Sequence, residues 1–163
     1  MTIKQPNSLH CFVCGVQNPY GLKLKFFEEG PGEVIANYTV PKQFQGYPGV
    51  VHGGIIAAML DEVAGRTLMG SDPQRSRFMF TARLDVQYRK PVPTEKPLRL
   101  VGRVGKLKNR SATAVASIYG PDGDLLAEAD AILVDIPQET LETANLEALG
   151  WKVYPDNVEQ EAP

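Results

Sequence analysis

Apolar and polar positions divide the chain into two short strand-like runs, one long helical run and four more strand-like runs. Leu22, Leu24 and Phe26 alternate with Lys23 and Lys25, the pattern of a half-buried strand. A turn at Glu29-Gly30-Pro31-Gly32 leads to Val34, Ala36, Tyr38 and Val40 alternating with Ile35, Asn37 and Thr39, so the two runs predict a hairpin. A loop rich in Gly and Pro, from Lys42 to Val51, leads into a predicted helix that begins beside His52-Gly53-Gly54 and ends near Gly70, before Asp72-Pro73. Its Ile55, Ile56, Ala57, Ala58, Met59, Leu60, Val63 and Ala64 are apolar on most sides, which implies burial.

Thr81 to Arg89 is the cleanest period-two pattern, with Ala82, Leu84, Val86 and Tyr88 on one side. Runs 98–107, 112–119 and 125–136 follow, joined by short turns, before Leu141, Ala144 and Leu149 suggest a short amphipathic helix closed by Gly150. The expected class is therefore α+β, an antiparallel sheet of about six strands wrapped around one long central helix. Residues 1–20 read as an irregular arm, 21–137 as the domain, and 138–163 as a short C-terminal helix and a loose tail.

Composition narrows the class without changing it. The 163 residues are 43% hydrophobic and 22% charged, as in an ordinary globular domain. There is no apolar run long enough to span a membrane and no apolar secretion-signal core, so a cytoplasmic location is expected. Charge is uneven: nine Lys or Arg lie between Arg83 and Arg110 against Asp85 and Glu95, and eleven acids follow from Asp122 against Lys152 alone. A mildly acidic chain with one basic stretch suits a small polyanionic ligand better than nucleic acid.

Two places carry candidate chemistry. In the arm, Cys11-Phe12-Val13-Cys14 has the spacing of a metal or redox pair. A structural metal site wants four ligands, however, and only His10 offers a third. A redox motif of the thioredoxin kind would need a strand before it and a helix after it. The pair is expected to be buried thiols closing one end of the domain, with no metal.

The second place is the helix. Gly53 and Gly54 let its first-turn amides approach a ligand, and the positive end of the dipole favours an anion or oxyanion there. Asp61 lies nearly two turns further on, on the same side as Gly54, Ala58 and Gly65, where small residues leave room. Glu62 and Arg66 have the spacing of an exposed helical ion pair. The Gly54 amide and Asp61 are roughly 10 Å apart along the axis, whereas a base must come within about 3 Å of the reacting group. Two helices antiparallel across a two-fold axis would set the amides of one chain against the carboxylate of the other, which predicts a homodimer with paired sites. His52 is either a general base or, as favoured here, a residue that orients the turn.

The order of elements and Val51-His52-Gly53-Gly54-Ile55-Ile56-Ala57-Ala58-Met59-Leu60-Asp61-Glu62-Val63 resemble the hotdog-fold acyl-CoA thioesterases of the PaaI-like family. Cys11-Phe12-Val13-Cys14-Gly15, Asn18-Pro19-Tyr20-Gly21-Leu22 and Thr81 to Pro91 are similar to one branch of it. The resemblance covers roughly residues 9–136. It implies hydrolysis of a small, aromatic or medium-chain acyl-CoA, with coenzyme A entering only as part of the substrate. The Gly53 amide, helped by Gly54, would hold the thioester carbonyl, and Asp61 of the other subunit would be general base or nucleophile. Thr81 would hold the water or the acid, or else is an outward strand residue. Gln87, Arg89, Lys90, Arg110 and Ser111 would meet the nucleotide end of coenzyme A. The assembly would be a homodimer or a dimer of dimers.

Where some relatives place an Asn or Gln fifteen residues before the acid, this chain has Gly46, with Gln45 beside it. A hotdog protein that binds an acyl thioester without hydrolysing it is the alternative. Asp61 argues against it, because a pure binder gains nothing from a desolvated acid there. An acyl-CoA hydratase would need His52 and Asp61 close together, and they lie two and a half turns apart.

Overall fold

A computed structural model describes residues 1–156. Its sheet has seven strands, all pairing antiparallel: β1 (Ile3–Lys4), β2 (Phe27–Gly30), β3 (Glu33–Thr39), β4 (Met79–Tyr88), β5 (Pro97–Leu107), β6 (Ser111–Tyr119) and β7 (Leu125–Asp135). Their order across the sheet is β1-β2-β3-β5-β6-β7-β4. The central helix α1 (Gly53–Gly65) lies across one face, and a short α2 (Gln138–Ala144) follows the sheet. The expected α+β wrap is therefore present, with one strand more than the six anticipated.

Small residues fix how closely helix and sheet approach. Ala114 pairs with Ala131 and Ala116 with Ala129 across β6 and β7, all buried under the helix. A Cβ at Gly102 of β5 would stand 2.5 Å from the Val63 carbonyl, so the helix backbone rests directly on that strand. Met59, Leu60, Val63 and Ala64 fill the space between and are fully buried, each of the larger three stabilising by about 1.5–3 kcal/mol. Burial is one-sided: Ile55, Ala57, Ala58, Asp61 and Gly65 remain half-buried, so the helix is not enclosed all round within one chain.

The strand expected at Leu22–Phe26 begins only at Phe27. Leu22, Leu24 and Phe26 are buried as the alternation requires, yet residues 22–26 form no strand. Lys23 takes a positive φ of 58°, and the backbone bonds instead to the arm, Leu22 to Phe12, Leu24 to Val13 and Gln5 to Phe26. The ladder to β3 begins only at Phe27. The arm is correspondingly less irregular than expected, since β1 pairs with β2.

The C-terminal segment also differs. The helix stops at Asn145 in the left-handed region, before Gly150. Beyond it Lys152 pairs with Asn7, and Lys4 bonds Asp156 and the Tyr154 carbonyl, so residues through 156 dock on the arm. The rest of the expected tail, 157–163, lies outside the described residues.

Arg66 gives the largest surprise. It pairs with Glu62 at 2.9 Å as the spacing predicts, but its side chain is fully buried rather than on an exposed edge. The arm covers it: its guanidinium lies between Phe26 and Trp151 and donates to the Pro6 carbonyl.

Candidate active site

The helix entrance is built by its own loop. Hydrogen bonds Val51 to Val92 and His52 to Phe44 hold the chain extended up to His52, which caps α1. The His52 ring accepts from the Gly54 N–H through Nδ1 at 2.9 Å. That bond ties the His52 ring to the first turn of the helix, the geometry of a residue that orients the turn. It also engages the Gly54 amide, which the sequence pattern had offered as a second oxyanion donor. The Gly53 N–H, at the first helical position, has no intrahelical acceptor and is the available donor. Gln45 closes the loop, its Oε1 accepting from Gly49 N at 3.3 Å.

One residue the pattern did not single out completes this end. Tyr88 donates its hydroxyl to the Gly53 carbonyl at 2.9 Å, and its ring stands 3.5–3.7 Å from where a Cβ on Gly53 would be. The signal was weak, because Tyr88 reads as one more apolar member of an alternating strand.

At the other end Thr81 donates to Asp61 Oδ1 at 2.6 Å. By strict alternation Thr81 would face away from Leu84 and Val86, which pack on the core. The ladder with β7 slips between Thr81 and Arg83, so that Thr81 opposes Leu133 and Arg83 opposes Ile132. That bulge at Ala82 turns Thr81 towards the helix, which decides against the outward reading. Strand β4 thus touches α1 at both chemically interesting positions. It is also an edge of the sheet, with Phe80 51% and Tyr88 55% exposed.

The basic residues do not gather at one place within a chain. Gln87, Arg89 and Lys90 lie near the start of β7, where Arg89 meets Gln87 and the Glu128 carboxylate and Lys90 meets Asp124 at 2.9 Å. The Lys90 contact holds the Asp124 carboxyl below its ordinary range. Arg110 and Ser111 lie at the other end, where Ser111 opposes Val134 and the Arg110 carbonyl accepts from Asp135 N. Arg77 grips Asp135 at 2.7 Å and lowers its pKa, with Arg110 adding to the positive field.

The arm's thiols stand against the same helix. Cys11 Sγ lies 3.9 Å from Glu62 Oε2, and Cys14 is buried beneath it. The hydrogen bond between the two thiols lowers the Cys11 pKa to about 7 and raises that of Cys14, with burial raising the latter further. His10 is exposed and stands outside the cluster.

The family model of the thioesterase superfamily matches residues 48–127, which run from the helix entrance into β7. The chain is similar to the rat acyl-coenzyme A thioesterase THEM4, 25% identical over 112 residues that are 68% of this chain and 46% of the relative. It thus spans about half the length of the curated relatives it matches. A solved thioesterase superfamily protein is 29% identical, with a TM-score of 0.69 over 77% of this chain and 63% of the other. The PaaI protein of E. coli, from the phenylacetic acid degradation operon, superimposes with a TM-score of 0.64 at 13% identity, over 71% and 81% of the two chains. Among the described residues, no helix is long and apolar enough to cross a membrane.

Proposed function

We propose that this chain, which has the hotdog fold and matches the thioesterase superfamily model over residues 48–127, is a cytoplasmic acyl-CoA thioesterase acting as a homodimer. The Gly53 N–H of one subunit holds the thioester oxygen as it gains negative charge, in the field of the helix N-terminus. Asp61 of the other subunit, its Oδ1 held by Thr81, presents Oδ2 to a water as general base, or attacks the carbonyl itself. The tetrahedral intermediate then collapses, expelling coenzyme A as its thiolate and leaving the free acid. His52 and Tyr88 position the entrance turn from its two sides.

The observation that carries the reading is the Thr81–Asp61 bond of 2.6 Å on the helix face the sheet leaves open. A bulged strand that turns a threonine onto an acid fixes that acid's direction, which a binding surface does not require. The division between chains is supported by the axial separation of about 10 Å between the two halves. It is supported too by the β4 edge beside them, unpaired among the described residues, since a long edge strand invites pairing. Antiparallel pairing of two β4 edges would bring the Thr81 end of one chain to the Tyr88 end of the other. The same operation would bring Arg110 and Ser111 of one chain towards Gln87, Arg89 and Lys90 of its mate. These groups are the proposed contacts for the phosphates of coenzyme A, with Arg89 and Lys90 exchanging an intramolecular acid for phosphate.

The test is thiol release from a panel of short, aromatic and medium-chain acyl-CoAs by wild-type protein and Asp61→Asn. Loss of about 10²–10⁴ in kcat is expected with fold and dimer retained. Undiminished turnover in the variant would remove Asp61 from the chemistry. A wild-type protein that binds acyl-CoA but releases no thiol would favour the non-catalytic binding alternative.

A further inference from the structure

We propose that Cys11, Cys14 and Glu62 form a binding site for a thiophilic divalent cation of the zinc type, tying the arm to the central helix. The three ligand atoms lie within 4.8 Å of one another. Tetrahedral coordination at ordinary Zn–S and Zn–O bond lengths sets such atoms roughly 3.6–3.8 Å apart. The Cys11 Sγ to Glu62 Oε2 separation is already 3.9 Å. The third ligand that the Cys-x-x-Cys spacing lacked is therefore supplied by the fold, fifty-one residues away in the chain. It is Glu62, not the neighbouring His10, that fills the role.

The surroundings of the three groups are those of a built site. Val13 N–H donates to Cys11 Sγ at 3.4 Å. Ser8 Oγ accepts from Cys11 N, which leaves its own hydrogen for Cys14 Sγ at 3.6 Å. These contacts hold both sulfurs in place. Glu62 is aimed by the buried Arg66, which holds Oε1 and leaves Oε2 to the cysteines. Buried Asn7 donates to the Cys14 carbonyl at 2.8 Å and fixes the far side of the turn. A Cβ at Gly15 would stand 2.3 Å from the Cys11 carbonyl, so the turn closes this tightly only around a glycine. Such outer partners orient ligands in metal sites generally.

Charge argues for a divalent ion. Two thiolates and the Glu62 carboxylate carry three negative charges against the one positive charge of Arg66, and a dication brings the cluster to neutrality. Binding releases the two thiol protons to solvent and leaves the Glu62–Arg66 bond in place. Half-exposed Cys11 provides the way in, and with three protein ligands the fourth position belongs to water.

The experiment is a cobalt titration of the reduced full-length protein, followed by thiolate-to-metal charge-transfer absorption. One equivalent per chain, displaced by zinc, is expected. Cys11→Ser, at the half-exposed position, should lose the band while its circular dichroism is unchanged. Glu62→Gln, which keeps an oxygen for Arg66, should weaken binding at least about tenfold. No charge-transfer band in the wild type overturns the site, as does undiminished cobalt affinity in Glu62→Gln. A reduced protein that takes up no cobalt but oxidises to a Cys11–Cys14 disulfide overturns it in favour of a redox pair.

Discussion

A subunit-mixing experiment tests whether the two halves of the site belong to different chains. It needs one variant without the amide and one without the carboxylate. Gly53→Pro is suited to the first, because the helix tolerates proline at its first position, where the N–H has no intrahelical acceptor. His52 already has φ −59° and ψ 136°, the extended backbone that a residue before proline adopts. The added Cβ meets nothing of Tyr88 closer than 3.5 Å. Asp61→Asn supplies the second variant. Alone, the proline should cost about 10²–10³ in kcat and the asparagine about 10²–10⁴. If the two are unfolded, mixed in equal amounts and refolded, half the dimers should be mixed. Each mixed dimer has one site with both lesions and one site with neither, so about a quarter of wild-type turnover returns. Thiol release measures it, with dimer content checked by size-exclusion chromatography. Sites made within one chain would carry a lesion each in every combination. The mixture would then show only the average of the two variants, and the divided-site reading would fail.

Thr81→Val removes the donor to Asp61 while keeping the shape, and a hydrogen bond to a charged group contributes about 1.5–3 kcal/mol. Thiol-release kinetics should show kcat about ten- to a hundredfold lower, with little change in melting temperature at an exposed edge. Arg66→Met strands Glu62 and the Pro6 carbonyl beneath the arm and should cost about 3–5 kcal/mol in urea unfolding. Arg77 holds the folded Asp135 carboxyl below its ordinary value of 3.8. Its contribution is therefore complete above that value and lost as pH falls through the folded value. The melting temperature of wild type over Asp135→Asn should shrink accordingly in acid.

Elements whose evidence is local were legible in the sequence. Runs 81–89, 98–107, 112–119 and 125–136 lie within two residues of β4 to β7, because alternation and turn residues both mark them. The helix start was visible for the same reason, in a breaker-rich loop before His52-Gly53-Gly54. What escaped depends on partners distant in sequence. Leu22 to Phe26 alternates in burial yet bonds to the arm, and no local pattern distinguishes that from a ladder. The ion-pair rule found Arg66's partner but not its burial, since Phe26, Pro6 and Trp151 cover it from three other segments. The bulge at Ala82 has no glycine or proline to announce it, and it alone decides where Thr81 points. Arg89 and Lys90 read as free cations, while the acids that meet them lie 39 and 34 residues away.

The bulge and the one-sided helix are parts of a single arrangement. An α-helix laid on a sheet must leave one face uncovered, and here the small or polar Ala58, Asp61 and Gly65 stand half-buried there. Beside it runs β4, whose outer edge is unpaired among the described residues and whose Phe80 and Tyr88 stand exposed. One two-fold contact would remedy both defects at once, continuing the ladder and covering the small-residue face. It would also take Asp61 out of water, where its bond from Thr81 and the field of the facing helix gain strength in the lower dielectric. The features that leave one chain incomplete as a folded surface are therefore those that would make two chains complete as an active site. On this reading stability and chemistry share an interface, and variants that weaken the β4 edge should lose activity as they lose the dimer.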